Sequence, residues 1–111
     1  MGTNVMMCMK KLGWVALTSV ASWGAHAQDA SIKLQTRTLV ASCASCHGTE
    51  GRPADGSSAP VLAGVPKATL IAQLKAFKEG TRPATIMHQL SKGYTDDQID
   101  RIATYLAAVK R

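Results

Sequence analysis

Apolar positions along this chain recur at helical spacing, and no stretch alternates as a half-buried strand would. The last forty residues are clearest. Ile99, Ile102, Ala103, Leu106 and Val109 form one stripe, the face an amphipathic helix turns to a core. Thr95 stands where an N-cap is needed, and Gln98 follows at capping-box spacing. Asp96 and Asp97 put negative charge in the first turn, and Lys110 and Arg111 put positive charge at the far end. Upstream, Leu70, Leu74 and Phe77 fall at i, i+4 and i+7, which predicts a helix over 67–79. Gly80 is the residue expected just past its end, and Pro83 blocks an early restart. Residues 86–92 suit a short helical turn closed by Gly93. A further helix is predicted over 31–41, with Ser31 as N-cap, running straight into Cys43.

Between these helices, residues 48–66 hold four glycines and three prolines. That density excludes a long helix or a central strand. A structureless loop of this length needs a reason in a compact domain, and a ligand for it to wrap would be one. The expected fold class is all-α, with three to four helices around such a group.

The first residues read differently. Lys10 and Lys11 precede an uncharged apolar run, 12–25, followed by Ala25-His26-Ala27. A basic start, a short apolar region and an A-x-A site make a secretory signal peptide. The run is too short for a satisfied membrane span, so cleavage after Ala27 is expected over an uncleaved anchor. This gives a leader, 1–27, and a single domain, 28–111, exported to the periplasm with no stable membrane span. Both tryptophans and four of five methionines leave with the leader, and 84 residues remain with Phe77, Tyr94 and Tyr105 as their aromatics. So thin a core usually needs a staple. Losing Lys10 and Lys11 takes the formal charge from +6 to +4. The remaining cations are scattered, with neither the patch nor the aromatic platforms of a nucleic-acid binder. A modest positive field would favour an acidic protein partner.

Cys43-Ala44-Ser45-Cys46-His47 supplies candidate chemistry. C-x-x-C-H is the attachment signature of c-type haem. Two thiols three residues apart add to the two vinyl groups on one porphyrin edge, and the adjacent imidazole then lies under the iron. The same residues leave other readings open. Cys43, Cys46, His47 and His88 could make a Cys2His2 zinc set, although adjacent Cys46 and His47 suit tetrahedral zinc poorly. A thioredoxin-like dithiol would need a βαβ setting. A disulfide this local would close no useful loop. With haem, the sixth ligand is Met87, the one methionine outside the leader, or its neighbour His88. Met/His ligation raises the potential for electron transfer. A ligating histidine usually donates its other ring N–H to a carbonyl, and the backbone carbonyl of Pro60 is the candidate. If both haem propionates are ionised, the net charge falls to about +2.

With these motifs in place, the chain resembles class I cytochromes c over nearly all of 28–111. The resemblance rests on Cys43 to Thr49 (CASCHGT), Pro60 to Gly64 (PVLAG) and Met87 before the final helix. It implies thioether links at Cys43 and Cys46, axial ligands His47 and Met87, and a Pro60 carbonyl accepting from His47. It also implies that the first and last helices meet near one haem edge. The run from Gln73 to Met87 (QLKAFKEGTRPATIM), with Lys92 to Asp96 (KGYTD), is similar to the cytochrome subunit of flavocytochrome c sulfide dehydrogenase. That likeness implies a haem subunit that takes electrons from a flavoprotein and is no enzyme by itself. Members of that group often carry two haem domains, whereas this sequence has one C-x-x-C-H. The alternatives are a free carrier of the c4 or c5 kind, and a haem sensor or enzyme with an open sixth position.

Overall fold

A computed structural model of the chain describes residues 27–111. The predicted leader, apart from Ala27, lies outside them. The described residues are helical with no strand among them. The helices are α1 (27–41), α2 (Ala44–His47), α3 (Lys67–Glu79), α4 (Met87–Lys92) and α5 (Asp96–Ala108), with a single 3-10 turn at Thr49–Gly51. The chain divides into two units within α1, at Leu34 and Gln35. In the first unit, the described residues 27–34 are helical and exposed. The second unit, Gln35–Arg111, contains the core and the candidate site.

The long helices follow the pattern of the sequence closely. α3 covers the predicted span and ends at Gly80, whose φ of 77° is the left-handed C-cap that favours glycine. α5 begins with the full capping box: Gln98 N donates to Thr95 Oγ1 at 3.2 Å, and Thr95 N donates to Gln98 Oε1 at 2.9 Å. Two helix ends differ from expectation. Ser31 is not an N-cap, because α1 is already helical at residue 27. Gln28, Asp29 and Ala30 contain no breaker, so nothing forces the helix to start at the serine. At the other end, α5 stops at Ala108, and Val109 is an extended C-cap, half-buried beyond the helix. Lys110 and Arg111 therefore lie past its last turn. The loop takes over there: Gly64 N donates to the Leu106 carbonyl at 2.9 Å, and Arg52 Nη2 donates to the Lys110 carbonyl. Carbonyls satisfied from outside need no further helical turn.

Val40 of α1, Leu70 of α3 and Ile102, Ala103 and Leu106 of α5 make one buried cluster, with Leu39, Leu62, Ile71, Leu74, Tyr94 and Tyr105 packed against it. α1 and α5 thus meet through Val40. α3 and α5 are also pinned at their ends. Lys78 Nζ reaches the Tyr94 carbonyl at 2.8 Å and Asp96 Oδ1 at 3.0 Å, and Lys75 Nζ reaches Asp96 Oδ2 at 3.3 Å.

The long loop is tied down rather than loose. The Gly51 carbonyl accepts from Leu62 N at 2.9 Å and Ala63 N at 3.1 Å, folding 51–63 back on itself. Gly48 and Gly51 have φ of 75° and 74°, backbone that an L side chain rarely adopts. A Cβ on Gly48 would sit 1.8 Å from the Arg52 carbonyl oxygen, and one on Gly51 would sit 2.8 Å from Leu62 Cβ. These turns swing Pro60 back toward His47.

Candidate haem site

The Cys-x-x-Cys-His run is one turn of helix. His47 N donates to the Cys43 carbonyl at 2.9 Å, and Gly48 N to the Ala44 carbonyl at 3.0 Å. Residues three and four apart are neighbours on a helix surface, so Cys46 and His47 each lie beside Cys43, and all three line one cavity. That is the physical content of the spacing. Both thiols are free, Cys43 half-buried and Cys46 exposed. Burial pushes the Cys43 thiol above its ordinary pKa, with a hydrogen bond to Ser42 pulling weakly the other way. Desolvation penalises a thiolate more than a thiol.

His47 is buried, and its Nδ1 lies 2.9 Å from the Pro60 carbonyl oxygen. A carbonyl only accepts, so Nδ1 carries the proton and donates. In the neutral imidazole this tautomer leaves Nε2 with a lone pair available to a metal.

These groups open onto a cavity of about 420 Å3, within the range of small-molecule and cofactor sites. Cys43, Cys46, His47 and Pro60 line it from one side of the sequence. Leu70, Leu74 and Phe77 of α3, Ile86 to Met87, and Ile102 and Leu106 of α5 supply most of the rest. The wall is dominated by apolar side chains, which suits a flat aromatic macrocycle. Two thiols and an imidazole on one helical turn suit its vinyl edge and its iron. The residues present fit haem c.

The fate of each candidate is plain. Cys43, Cys46, His47, Pro60 and Met87 all reach this one cavity. His88 does not line it, and its buried Nδ1 has no hydrogen-bond partner among the described residues. No cluster of three or more histidine, cysteine or acidic residues suited to a metal ion occurs among the described residues, so the four zinc candidates are not gathered. Two other features escaped the sequence reading. Tyr94 OH and Ser42 Oγ are 2.7 Å apart on the cavity wall. Arg82 also lines the cavity, with its guanidinium 4.7 Å from the centre of the Phe77 ring. Neither pair has a local sequence signal, because each joins residues from separate elements or turns.

No helix among the described residues is long and apolar enough to cross a membrane. Residues 35–110 match the family model for cytochrome c. The chain is 30% identical over 105 residues to a "Thiosulfate dehydrogenase electron acceptor" of Thiomonas intermedia (strain K12), covering 95% of this chain and 44% of that protein. It is 37% identical over 73 residues to the "Cytochrome subunit of sulfide dehydrogenase" of Chlorobaculum tepidum, covering 66% of this chain and 64% of that one. It is 36% identical over 74 residues to "Cytochrome c-552" of Acidithiobacillus ferridurans, covering 67% and 31%. The chain thus spans from under a third to just under two thirds of these relatives' lengths. The spacing of Cys43 and Cys46, the cavity they face and the match over nearly all of the second unit converge: this chain belongs to the cytochrome c family and carries haem c as its cofactor.

Proposed function

We propose that the chain is a monohaem, single-electron carrier that takes electrons from a dehydrogenase of reduced inorganic sulfur compounds. One observation carries the reading: Cys43, Cys46, His47 and Met87 share the wall of one apolar cavity, with His47 Nδ1 engaged by Pro60. Cys43 and Cys46 would hold haem through two thioether links, and His47 and Met87 would ligate its iron. Bound haem supplies a one-electron ferric/ferrous couple. The protein holds that couple in a fixed geometry. Donation from His47 Nδ1 to the Pro60 carbonyl fixes the ring orientation and makes Nε2 a better donor. The tied loop keeps Pro60 in place, and the apolar wall excludes water, which would otherwise stabilise the ferric charge. Met87 on the wall speaks against an open sixth position, and the absence of His88 from the wall speaks against bis-histidine ligation.

The partner class follows from the relatives. Two are named as electron acceptors of thiosulfate dehydrogenase and one as the cytochrome subunit of sulfide dehydrogenase. The likeness over Gln73 to Asp96 favours the second kind, so the donor is a flavoprotein subunit that oxidises sulfide. The thiosulfate-linked reading has its own support in a match over 95% of this chain. In either case the protein works in the periplasm, as domain 28–111, after cleavage behind Ala27.

The test uses protein exported from a host that attaches c-type haem. The expected intact mass is that of residues 28–111 plus one haem, with a sharp ferrous α band. A mass equal to the bare polypeptide would end the haem reading. Holoprotein mixed with a sulfide-oxidising flavoprotein and sulfide should be reduced by one electron per chain. Reduction only by a thiosulfate-oxidising dehydrogenase would make the thiosulfate-linked enzyme the partner instead.

A further inference from the structure

Glu50 is the one residue other than glycine with a positive φ among the described residues, at 56°. An L side chain is rarely found there, and such a conformation persists only where the surroundings impose it. Two side chains hold the Glu50 carboxylate. Arg52 Nη1 donates to Oε2 at 3.0 Å, and Tyr105 OH of α5 donates to Oε1 at 3.4 Å. The same guanidinium also reaches the other way, where Arg52 Nη2 donates to the Lys110 carbonyl beyond α5. A planar fork serves two acceptors at once in a fixed geometry. The side chains of Arg52 and Glu50 are 44% and 46% exposed, and exposed ion pairs add little to stability. What this contact supplies is placement of the backbone.

The backbone it places leads to the imidazole. Gly51 follows Glu50 directly, and its carbonyl accepts from Leu62 N at 2.9 Å and Ala63 N at 3.1 Å. Two residues before Leu62, the Pro60 carbonyl accepts from His47 Nδ1 at 2.9 Å. The circuit closes on itself: His47 to Gly51 along the chain, across to Leu62, back to Pro60, and across to His47. Glu50 is the strained link in that circuit. We infer that Arg52 is a positioning residue for the His47 imidazole, acting by clamping Glu50 in the left-handed region so that the Gly51 carbonyl returns Pro60 to Nδ1. This rests on the proposed ligation of haem iron by His47. Arg52 touches neither the cavity nor the cofactor, and its effect passes through the loop.

The test follows exchange of the His47 Nδ1 proton with solvent in ferrous holoprotein, by nuclear magnetic resonance. Wild type is compared with Arg52→Gln, Arg52→Lys, Glu50→Gly with Arg52→Gln, and Asp96→Asn. Arg52→Gln should speed exchange by about tenfold, within what one strained left-handed residue is worth. The double variant should return close to wild type, because glycine takes the conformation without a clamp. Asp96→Asn loosens the junction of α3 and α5 instead, so it should lower the urea midpoint and leave the exchange unchanged. Wild-type exchange in Arg52→Gln would overturn the inference. So would equal acceleration in Asp96→Asn, which would make the effect one of general stability, or a double variant as fast as Arg52→Gln. If Arg52→Gln fails to mature, Arg52→Lys decides: an ammonium cannot span both acceptors, and wild-type exchange there overturns the clamp. A normal c-type spectrum with unmoved exchange would sink the role of Arg52 alone. A wild type without that spectrum would sink the haem reading and this inference with it.

Discussion

At the scale of single residues, the site depends on which side of α4 faces the cavity. Met87 lines it and His88 does not, although either residue type can bind iron. Met87→Ala should abolish the ferric sulfur-to-iron band and lower the midpoint potential, because Met/His ligation raises it. His88→Ala should leave both unchanged. A wild type that lacks this band, with a potential that changes in His88→Ala and not in Met87→Ala, would reverse the assignment. Gly48 is the other single position on which much rests. At φ 75°, with Arg52 O 1.8 Å from an added Cβ, it tolerates no side chain. Gly48→Ala should cost about 1–3 kcal/mol from the backbone conformation alone, and more from the clash. Gly56→Ala pays only for its positive φ, because nothing lies within 4 Å of that site. Urea titration of the two holoproteins checks the order. Both residues follow the cysteine motif closely in sequence, yet only the fold separates them. The motif itself was legible because its spacing is that of a helical turn. The placement of Arg82 and Tyr94 was not, because tertiary packing alone brings them to the cavity.

At the scale of elements, local chemistry fixed the ends that carry their own signals. Gly80 closes α3, and the reciprocal pair of Thr95 and Gln98 opens α5. It failed where a neighbour supplies the partner. The apolar stripe of α5 continues to Val109, but Gly64 N takes the Leu106 carbonyl and the helix ends at Ala108. The junction of α3 and α5 turns on Asp96, whose carboxyl is held below its ordinary pKa by hydrogen bonds from Lys78 and then Lys75. An acid whose folded pKa is depressed contributes stability above the unfolded value, about 3.9. That contribution is lost as pH falls through the folded value. Asp96→Asn should therefore be less stable than wild type at pH 7, and the gap should close as pH drops below about 4. Raising the salt concentration should narrow the gap at pH 7, because all three groups are solvent-accessible. Denaturant titrations of both proteins at pH 7 and pH 3 decide it; a gap that widens in acid would refute the pairing.

At the scale of the whole molecule, the protein part of the core is small. Among the described residues, the buried apolar side chains are Val40, Ala63, Leu70, Ile99, Ile102, Ala103 and Leu106, and two of those are alanines. Several of the larger apolar groups face the cavity instead, including Leu62, Leu74, Phe77, Ile86 and Leu90. Leu70, Ile102 and Leu106 serve both, since they belong to the buried cluster and to the cavity wall. Bound haem would thus complete the core, and removing it should cost more than any one side chain. Truncating a single buried leucine to alanine costs about 2–5 kcal/mol, which leaves a cooperative protein only when the total stability is larger, and domains of this size have about 5–15 kcal/mol. Cys43→Ala combined with Cys46→Ala removes both attachment points while changing little else on α2. That double variant should retain helical propensity in α3 and α5 but lose the sharp unfolding transition of the holoprotein. Far-ultraviolet circular dichroism during heating would report it as a broad, early melt. A haem-free double variant that melts as sharply and as high as the holoprotein would mean that α1, α3 and α5 form a sufficient core through Val40, Leu70 and Leu106. The cavity would then be a binding site built onto a finished fold. Leu70 and Leu74 of α3 argue for the opposite: both belong to the packed core and both line the cavity, so the same face of the helix serves protein and cofactor at once.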